Sequence, residues 1–234
     1  MKSAMENKNI LITGGSSGIG KATAFMAIGK GAKVGIVSDS QAELDAMPDE
    51  FNRYLADIRY PAQAIHAVDS FVRDTGSIDM LVNSAGISLW KDFLAMDEAF
   101  WDAIFDVNVK GTFLVSQAAA RHMVKQKSGF ILNISSMSGI KSGMPGTSAY
   151  TASKWAIVGF SRNLHLELKQ HGIKVACLCP GSTRTALHEK ANTPDQDKML
   201  DPEDIARTIL FMLSAPDNGH VQLLAQPAYF EEWR

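Results

Sequence analysis

Short apolar runs alternate with longer helical stretches along the whole chain. Seven of these runs have the length of buried strands, and turn residues bound most of them. They lie at residues 9–13, 33–37, 53–56, 80–82, 129–134, 173–178 and 221–224. Because strands buried on both faces of a parallel sheet carry mostly apolar side chains, the runs predict the interior of such a sheet.

Helices are predicted between successive strands. Ser40 and Glu43 have the Ser-x-x-Glu spacing of a capping box, while Pro61 and Pro202 suit the first position of a helix. The predicted helices cover residues 21–30, 40–47, 61–75, 97–127 and 150–170, and a last one begins at 202. This alternation predicts an α/β fold: a doubly wound, Rossmann-type parallel sheet of about seven strands, with helices on both faces.

Composition restricts the class of protein. Of the 234 residues, 46% are hydrophobic and 21% charged, and we expect residues 1–234 to form one domain. The formal net charge of −2 gives no electrostatic footprint for nucleic acid. No apolar run approaches the ~18 residues of a membrane span, and the polar start lacks a signal-peptide core. We therefore expect no nucleic-acid partner and no membrane association.

The cysteines and histidines predict no metal site. Cys177 and Cys179 alternate on one predicted strand, so we expect buried free thiols and a reducing, cytoplasmic location. The histidines that we expect on the surface or in the core, because they lack metal-ligand spacing, are His122, His165, His171 and His188.

A glycine cluster follows the first predicted strand and precedes a helix. Residues 14–20 have the spacing Gly-x-x-x-Gly-x-Gly. A pyrophosphate binds at a helix N-terminus in this context, and glycines let the backbone approach the phosphates. We favour dinucleotide binding over an ordinary glycine-rich turn. The candidate cofactor residues here are Gly14, Ser16, Ser17, Gly18, Ile19 and Gly20.

Tyr150 and Lys154 are candidates for proton transfer. They are four residues apart in a predicted helix, so their side chains lie one turn apart on one face. A phenol titrates near pH ~10, and an adjacent ammonium favours the phenolate and lowers that pKa. The pair can therefore exchange a proton in the interconversion of an alcohol and a carbonyl. Tyr-x-x-x-Lys is also a short and common pattern, which leaves a structural role open.

Polar residues and glycines follow the predicted strands. A doubly wound sheet binds its ligand outside the carboxyl ends of its strands, so these residues converge on one crevice. The residues that follow strands two to six are Ser38 and Asp39, Asp57, Asn83, Ser136, and Pro180 with Gly181.

These motifs together resemble those of the short-chain dehydrogenase/reductase family over nearly the whole chain. The matching segments are Thr13–Gly20 (TGxxxGIG), Asp57-Ile58, Asn83–Gly86 (NNAG, with Ser84 in place of the second Asn), Asn108, Ser136 (ISSxxG), Tyr150 with Lys154 (YxxxK), and Pro180-Gly181 with Thr185 (PGxxxT). The resemblance implies an NAD(P)-dependent enzyme that interconverts a secondary alcohol and a ketone, or reduces a carbonyl, by hydride transfer.

The resemblance also implies catalytic roles. Tyr150 is expected as the acid/base, and Ser136 to hydrogen-bond the substrate oxygen. Lys154 is expected to lower the pKa of Tyr150 and to hold the nicotinamide ribose. Asn108 is expected to hold a water that links Lys154 to solvent, although a residue on a helix surface is the alternative. Ser136 is preferred to its neighbouring serines because Gly139 follows three residues later.

Further contacts are implied for cofactor and substrate. The Thr183 backbone and the Thr185 hydroxyl are expected to hold the nicotinamide carboxamide, and Asp57 with Ile58 to contact adenine. Other cofactor contacts are expected from Asn83, which as a turn residue has an alternative role, and from Ala85, Gly86, Pro180 and Gly181. Candidate substrate residues are Ser136, Ser138, Tyr150 and Leu187, and residues 187–200 form the candidate substrate loop.

The residues after the second strand favour NAD over NADP. Asp39 lies nineteen residues beyond Gly20, where an acidic side chain binds the ribose 2′-hydroxyl. No Lys or Arg lies between Ser38 and Arg53, so a 2′-phosphate would meet the Asp39 carboxylate without a local cation. Capping of the next helix is the alternative role of Asp39, but Ser40 already fits that role.

A homodimer or homotetramer is expected. Two long predicted helices carry apolar residues beyond one core-facing stripe, and the family resemblance implies that these helices pack against a second copy. The residues are Phe113, Val115, Trp155, Ile157, Val158 and Phe160.

Two other functions are less compatible with the sequence than an enzyme is. A non-catalytic dinucleotide sensor or scaffold on the same fold is disfavoured because the Tyr, Lys, Ser and Asn of the motifs are all present. A sugar-nucleotide epimerase is disfavoured because about fifty residues follow Pro180, too few for the larger substrate domain of that branch.

Overall fold

The strands form one parallel sheet. The computed structural model describes residues 4–185, 196–216 and 218–229, and the order of the seven strands in this part is β3-β2-β1-β4-β5-β6-β7. They are β1 (Asn9–Thr13), β2 (Lys33–Ser38), β3 (Asn52–Leu55), β4 (Met80–Asn83), β5 (Gly129–Ile134), β6 (Ile173–Pro180) and β7 (Leu223–Gln226). The predicted doubly wound parallel sheet is therefore confirmed.

Helices cover both faces of the sheet. In the described part of the chain the α-helices are α1 (Gly18–Ile28), α2 (Gln41–Asp45), α3 (Pro61–Thr75), α4 (Glu98–Phe105), α5 (Thr112–Gln126), α6 (Ser148–Leu168) and α7 (Pro202–Leu213). Side chains of α1, α2 and α7 pack in one core layer, and those of α3 and α5 pack in the other. The predicted start of α7 at Pro202 is confirmed.

Alternation along β1 divides the core into these two layers. Ile10 and Ile12 contribute to the layer of α1, whereas Leu11 contributes to the layer of α3. In β2, a Cβ on Gly35 would lie 2.5 Å from the ring of Phe71 on α3. Glycine at this position therefore leaves room for the Phe71 side chain. The apolar runs of the sequence thus correspond to strands buried on both faces.

The sheet reverses its strand order at β1. This strand pairs with β2 on one side and with β4 on the other, so Thr13 lies beside both Val37 and Asn83. Asn83 in turn pairs with Asn133 of β5. The carboxyl ends of four strands therefore meet at one edge, which is where an open α/β sheet binds its ligand.

The long helix predicted over residues 97–127 is interrupted. Between α4 and α5, residues Asp106–Gly111 form a π-helical segment that contains Asn108. The Thr112 hydroxyl donates to the Asn108 carbonyl at 2.8 Å, and a Cβ on Gly111 would lie 2.6 Å from Ile58. The predicted helical region over residues 97–127 is therefore confirmed, but apolar periodicity does not reveal that its middle is π-helical.

Some apolar residues predicted to contact a second copy lie in the core instead. Val115, Ile157 and Val158 are buried within the chain because α5 and α6 press them against the sheet. Phe113 and Trp155 are exposed. The expected surface between copies is therefore smaller than the sequence predicts.

Three properties follow from the described residues. Cys177 and Cys179 are buried free thiols, as expected. No helix in the described ranges is long and apolar enough to cross a membrane. The same ranges contain no group of three or more His, Cys, Asp or Glu side chains that could hold a metal ion.

Candidate active site

The glycine loop depends on backbone conformations that suit glycine. Gly14 and Gly18 have φ values of 65° and 50°, in the left-handed region. A Cβ on Gly20 would lie 2.2 Å from the Gly14 carbonyl oxygen, so the loop folds tightly onto the start of α1. Glycine at position 20 therefore allows the loop to pack against the start of α1.

The N-terminus of α1 has the features of an anion site. Ser17 is its N-cap residue, yet the Ser17 side chain makes no capping hydrogen bond. The first turn carries no acidic side chain. Free backbone N–H groups and the helix dipole therefore favour a negative charge at this end of the helix.

Thr13 braces the loop, although the sequence analysis did not select it as a site residue. Its hydroxyl oxygen accepts hydrogen bonds from the backbone N–H groups of Ser84 and Ala85, both at 3.2 Å. A Cβ on Gly14 would lie 2.9 Å from the Ala85 Cα. The sequence signal was a hydroxyl at the end of an otherwise apolar strand, where it can bond only to neighbouring backbone.

Asn83 lies beneath the site. It is the last residue of β4 and is buried, so its role as a turn residue is wrong. Its Nδ2 donates at 2.8 Å to both Ser116 and Asn133, and Asn133 donates to Ser161 at 2.9 Å. This buried network fixes β4 and β5 against α5 and α6, and with them the loop that contains Ala85 and Gly86.

Tyr150 lies near the N-terminus of α6 and is half-buried. Burial raises its pKa because the phenolate is desolvated, while a hydrogen bond from the Ser136 side chain acts in the opposite direction. This direction is contrary to the lowering by Lys154 that the sequence analysis expects. The chain alone therefore keeps the phenol protonated at neutral pH.

Lys154 is buried one helical turn beyond Tyr150. Its Nζ lies 5.6 Å from the centroid of the Tyr150 ring and donates to the Ile134 carbonyl at 3.2 Å. Burial lowers the pKa of Lys154 to about 8, and the nearby Cys177 and Cys179 oppose this shift. The ammonium is thus directed to the end of β5, which explains why it does not contact the phenol oxygen directly.

Asn108 is positioned by the π-helical segment. It is buried, so the alternative of a helix-surface residue is wrong. Its Oδ1 accepts from the Ile87 N–H at 2.8 Å, and its Nδ2 donates to the Ile87 carbonyl and to Ser153 at 3.0 Å. A Cβ on Gly86 would lie 3.2 Å from Asn108 Oδ1 and 3.6 Å from Lys154 Nζ. Asn108 and Lys154 therefore flank the same glycine.

The serines after β5 have separate environments. Ser135 is buried and donates to the Lys154 carbonyl at 2.8 Å, whereas Ser136 is half-buried and acts to lower the pKa of the Tyr150 phenol. The Ser138 N–H donates to the Ser136 oxygen at 3.1 Å. A Cβ on Gly139 would lie 2.3 Å from the Ser135 hydroxyl, so glycine lets this turn approach α6. Ser136 is therefore the more accessible of these two serines.

The segment after β6 completes the other side of the crevice. Pro180 ends β6, and Gly181 is followed by Thr183, whose hydroxyl donates to the Gly181 carbonyl at 2.9 Å. A Cβ on Gly18 would lie 3.2 Å from the Thr185 methyl group, so this segment borders the glycine loop. Leu187 and most of the candidate loop 187–200 lie outside the described residues.

On the adenosine side, α2 begins differently from the predicted capping box. The Ser40 hydroxyl accepts from the Glu43 N–H at 3.3 Å, as expected. The Ser40 N–H instead donates to the Ser38 hydroxyl at 3.2 Å, and the Glu43 carboxylate accepts from Ser16. In a full capping box the Ser40 N–H would donate to the Glu43 carboxylate. That half of the prediction is wrong, because the Glu43 carboxylate bonds to Ser16 of the glycine loop instead.

A cation also approaches the adenosine side. The Asp57 carboxylate is bound bidentately by Arg59, which holds the pKa of Asp57 below its usual range. The guanidinium also interacts electrostatically with the exposed Asp39. The expectation that no cation lies near Asp39 was wrong, because Arg59 comes from the turn between β3 and α3. Ile58 is buried against Gly111.

Known proteins are similar to this chain in sequence and fold. A family model described as short chain dehydrogenase matches residues 8–196. The chain is 38% identical, over 238 residues that cover 93% of each protein, to the (2S)-[(R)-hydroxy(phenyl)methyl]succinyl-CoA dehydrogenase subunit BbsD of Thauera aromatica. It is 35% identical to the 3-oxoacyl-[acyl-carrier-protein] reductase FabG of Thermotoga maritima over 226 residues, covering 90% of this chain and 92% of the relative.

Solved structures give the same result. The structure described as ElxO with NADP bound has a TM-score of 0.87 and 27% identity, covering 94% of this chain and 96% of its own. The 3-ketoacyl-(acyl-carrier-protein) reductase from Brucella melitensis complexed with NADH has a TM-score of 0.86 and 28% identity, covering 95% and 97%. Similar proteins thus contain either form of the cofactor.

Proposed function

Because this chain belongs to the short-chain dehydrogenase/reductase family, we propose that it interconverts a secondary alcohol and a ketone, or reduces a carbonyl, with NAD(P). The observation that carries the proposal is the convergence of Ser136, Tyr150 and Lys154 at the ends of β5 and α6. Ser136 lies close enough to the Tyr150 phenol to lower its pKa, and the Lys154 ammonium lies 5.6 Å from the Tyr150 ring centroid. A structural use of Tyr-x-x-x-Lys does not require this neighbouring serine.

The residues present fit a dinucleotide. The glycine loop is formed by Gly14, Gly18 and Gly20, and an added Cβ at Gly14 or Gly20 would lie within 3 Å of a backbone atom. The N-terminus of α1 presents free backbone N–H groups to an anion. The cofactor supplies the hydride chemistry when bound. Thr183 and Thr185 are proposed to hold the carboxamide, and Lys154 the nicotinamide ribose.

Tyr150 is proposed as the group that exchanges a proton with the substrate oxygen. Its raised pKa keeps the phenol protonated, which suits donation to a carbonyl oxygen during reduction. Ser136 is proposed to hydrogen-bond the same oxygen as negative charge develops on it. Asn108 positions the Gly86-Ile87 backbone beside Lys154 and thus supports the site.

The substrate is proposed to be a secondary alcohol or the matching ketone, and acyl thioesters are the first class to test. One similar protein is named for a succinyl-CoA derivative and another for 3-oxoacyl groups on acyl carrier protein. The segment after β4 carries the exposed apolar side chains Leu89, Trp90, Phe93 and Leu94. An apolar acyl chain could lie against such a surface without desolvating charges.

NAD is proposed as the preferred cofactor, in a cytoplasmic homodimer or homotetramer. No basic residue of the glycine loop or of the first turn after β2 is available to a 2′-phosphate, since residues 14–20 and 38–45 contain neither Lys nor Arg. Arg59 is engaged by Asp57. The acidic groups near the end of β2 therefore favour an unphosphorylated ribose.

Purified protein assayed with a panel of secondary alcohols, ketones and 3-oxoacyl thioesters, each with both cofactors, tests the proposed function. We expect dinucleotide-dependent turnover of at least one class, and loss of that turnover in the Tyr150→Phe variant. A dinucleotide-binding protein without turnover of any member would favour the sensor or scaffold instead. Failure to bind either dinucleotide would contradict both functions.

A further inference from the structure

The Glu43 carboxylate joins the glycine loop to the end of β2. Its Oε2 accepts a hydrogen bond from the Ser16 hydroxyl at 2.6 Å and lies 3.5 Å from the Ser38 hydroxyl. Ser16 and Ser38 are both buried, and their oxygens are 2.9 Å apart. The carboxylate is therefore fixed by two hydroxyls, although Glu43 itself is exposed.

Helix capping does not require this arrangement. The Glu43 backbone N–H already donates to Ser40, and the Ser40 N–H is satisfied by Ser38. The carboxylate is thus available to bond to residues outside α2. Because it lies between the glycine loop and the last residue of β2, it occupies the region where the adenosine ribose arrives in a doubly wound fold.

The two acidic residues of this region differ in their charge environment. Asp39 is exposed and interacts with Arg59, so the guanidinium partly offsets the negative charge of Asp39. Within the ranges that the structure describes, no Lys, Arg or His side chain forms an ion pair with Glu43. An incoming phosphate would therefore meet an uncompensated charge at Glu43 rather than at Asp39.

We propose that Glu43, held by Ser16 and Ser38, is the residue that selects the unphosphorylated ribose and so determines the preference for NAD. The carboxylate repels a 2′-phosphate and accepts a hydrogen bond from a 2′-hydroxyl. This inference rests on the proposed dinucleotide-binding function. It assigns to the first turn of α2 a selection that the sequence analysis gave to Asp39.

Binding of two cofactor fragments tests the proposal without requiring a substrate. Dissociation constants for ADP-ribose and 2′-phospho-ADP-ribose are measured by calorimetry for the wild type and for Glu43→Gln, which keeps the shape and hydrogen bonds but removes the charge. Asp45→Asn is the matched control. It removes a carboxylate charge from α2 at a side chain that bonds to Gln41. Asp39→Asn removes the competing carboxylate. Thermal melting checks that each variant is folded.

Wild-type protein is expected to bind ADP-ribose more tightly. Glu43→Gln should shift the ratio of the two constants towards the phosphorylated fragment by about tenfold or more, with Asp45→Asn leaving the ratio nearly unchanged. An unchanged ratio in Glu43→Gln, or an equal shift in Asp39→Asn, would overturn the inference while leaving dinucleotide binding intact. Wild-type protein that binds neither fragment would overturn the proposed function as well.

Discussion

Lys154 is the most strongly perturbed cation near the catalytic centre. Burial lowers its pKa from 10.5 to about 8, so the folded state loses this proton at a lower pH than the unfolded state. Between pH 8 and 10.5 the unfolded chain binds more protons, and stability rises with pH in that window. A shift of this size corresponds to about 3 kcal/mol. Burial of the charged lysine therefore destabilises the fold at neutral pH.

Urea unfolding at pH 7.5 and 9.5 measures this penalty. We expect Lys154 alone to raise the free energy of unfolding by about 2 kcal/mol between these two pH values. The reason is that they span most of the range between its folded pKa of about 8 and its ordinary pKa of 10.5. The control is Lys154→Met, in which the corresponding rise should disappear. The raised pKa of Tyr150 changes the free energy of unfolding mainly above pH 10, where an ordinary phenol loses its proton. Tyr150 therefore contributes little to the difference between pH 7.5 and 9.5. Equal pH slopes in the two proteins would contradict the assignment.

Asn108→Ala tests the brace behind Lys154. The variant removes the side-chain partner of the half-buried Ile87 N–H and carbonyl, so we expect a loss of about 1–3 kcal/mol in the free energy of unfolding. The matched control is Asn163→Ala on the exposed side of α6, where the amide bonds to the neighbouring Glu167. A loss in Asn108→Ala no larger than in the control would show that these bonds are dispensable.

At the scale of elements, the site depends on the close approach of the turn after β5 to α6. A Cβ on Gly139 would lie 2.3 Å from the Ser135 hydroxyl and 2.7 Å from the Lys154 carbonyl oxygen. Gly139→Ala is therefore expected to displace Ser136 from Tyr150 and to lower both stability and activity. The stability loss should be about 1–3 kcal/mol, as for other overpacked sites.

Gly159→Ala on α6 is the control for that substitution. A Cβ at Gly159 would meet no atom within 4 Å, and alanine has a higher helix propensity by about 1 kcal/mol. The control is expected to be neutral or more stable in thermal unfolding. If both variants lost stability equally, the close approach at Gly139 would not be the cause.

The sequence predicted the strands and the motif positions well because apolar runs and glycine turns are local signals. It did not predict the π-helical segment around Asn108, which lies against Ile58 and Ile87. It also placed no cation near Asp39, because Arg59 becomes a neighbour only through the pairing of β2 with β3. Contacts made across the sheet edge are absent from any local window of sequence.

At the scale of the whole molecule, α5 and α6 present an exposed aromatic surface. Phe113 and Trp155 are 41% and 50% exposed, and Phe113 packs edge-on against Phe160 with ring centroids 6.5 Å apart. Large exposed aromatic side chains on adjacent helices are typical of contacts between protein chains. This surface supports the proposed homodimer or homotetramer.

Light scattering at micromolar concentration tests the proposed assembly. We expect the wild type to have the mass of a dimer or tetramer, and Trp155→Glu to reduce that mass by placing a charge in the contact. Leu166→Glu provides a control at another exposed apolar residue of α6. A monomeric wild type would contradict the oligomer, and an effect from Leu166→Glu alone would locate the contact elsewhere.

The acid/base role of Tyr150 is the centre of the proposed mechanism, and Tyr150→Phe tests it most directly. The substitution removes the phenolic proton while the ring remains beside Lys154, so NADH and NADPH should bind nearly as before. We expect kcat/KM on the best substrate of the panel to fall by at least ~10²-fold. A variant that kept more than about a tenth of wild-type activity would contradict proton transfer by Tyr150.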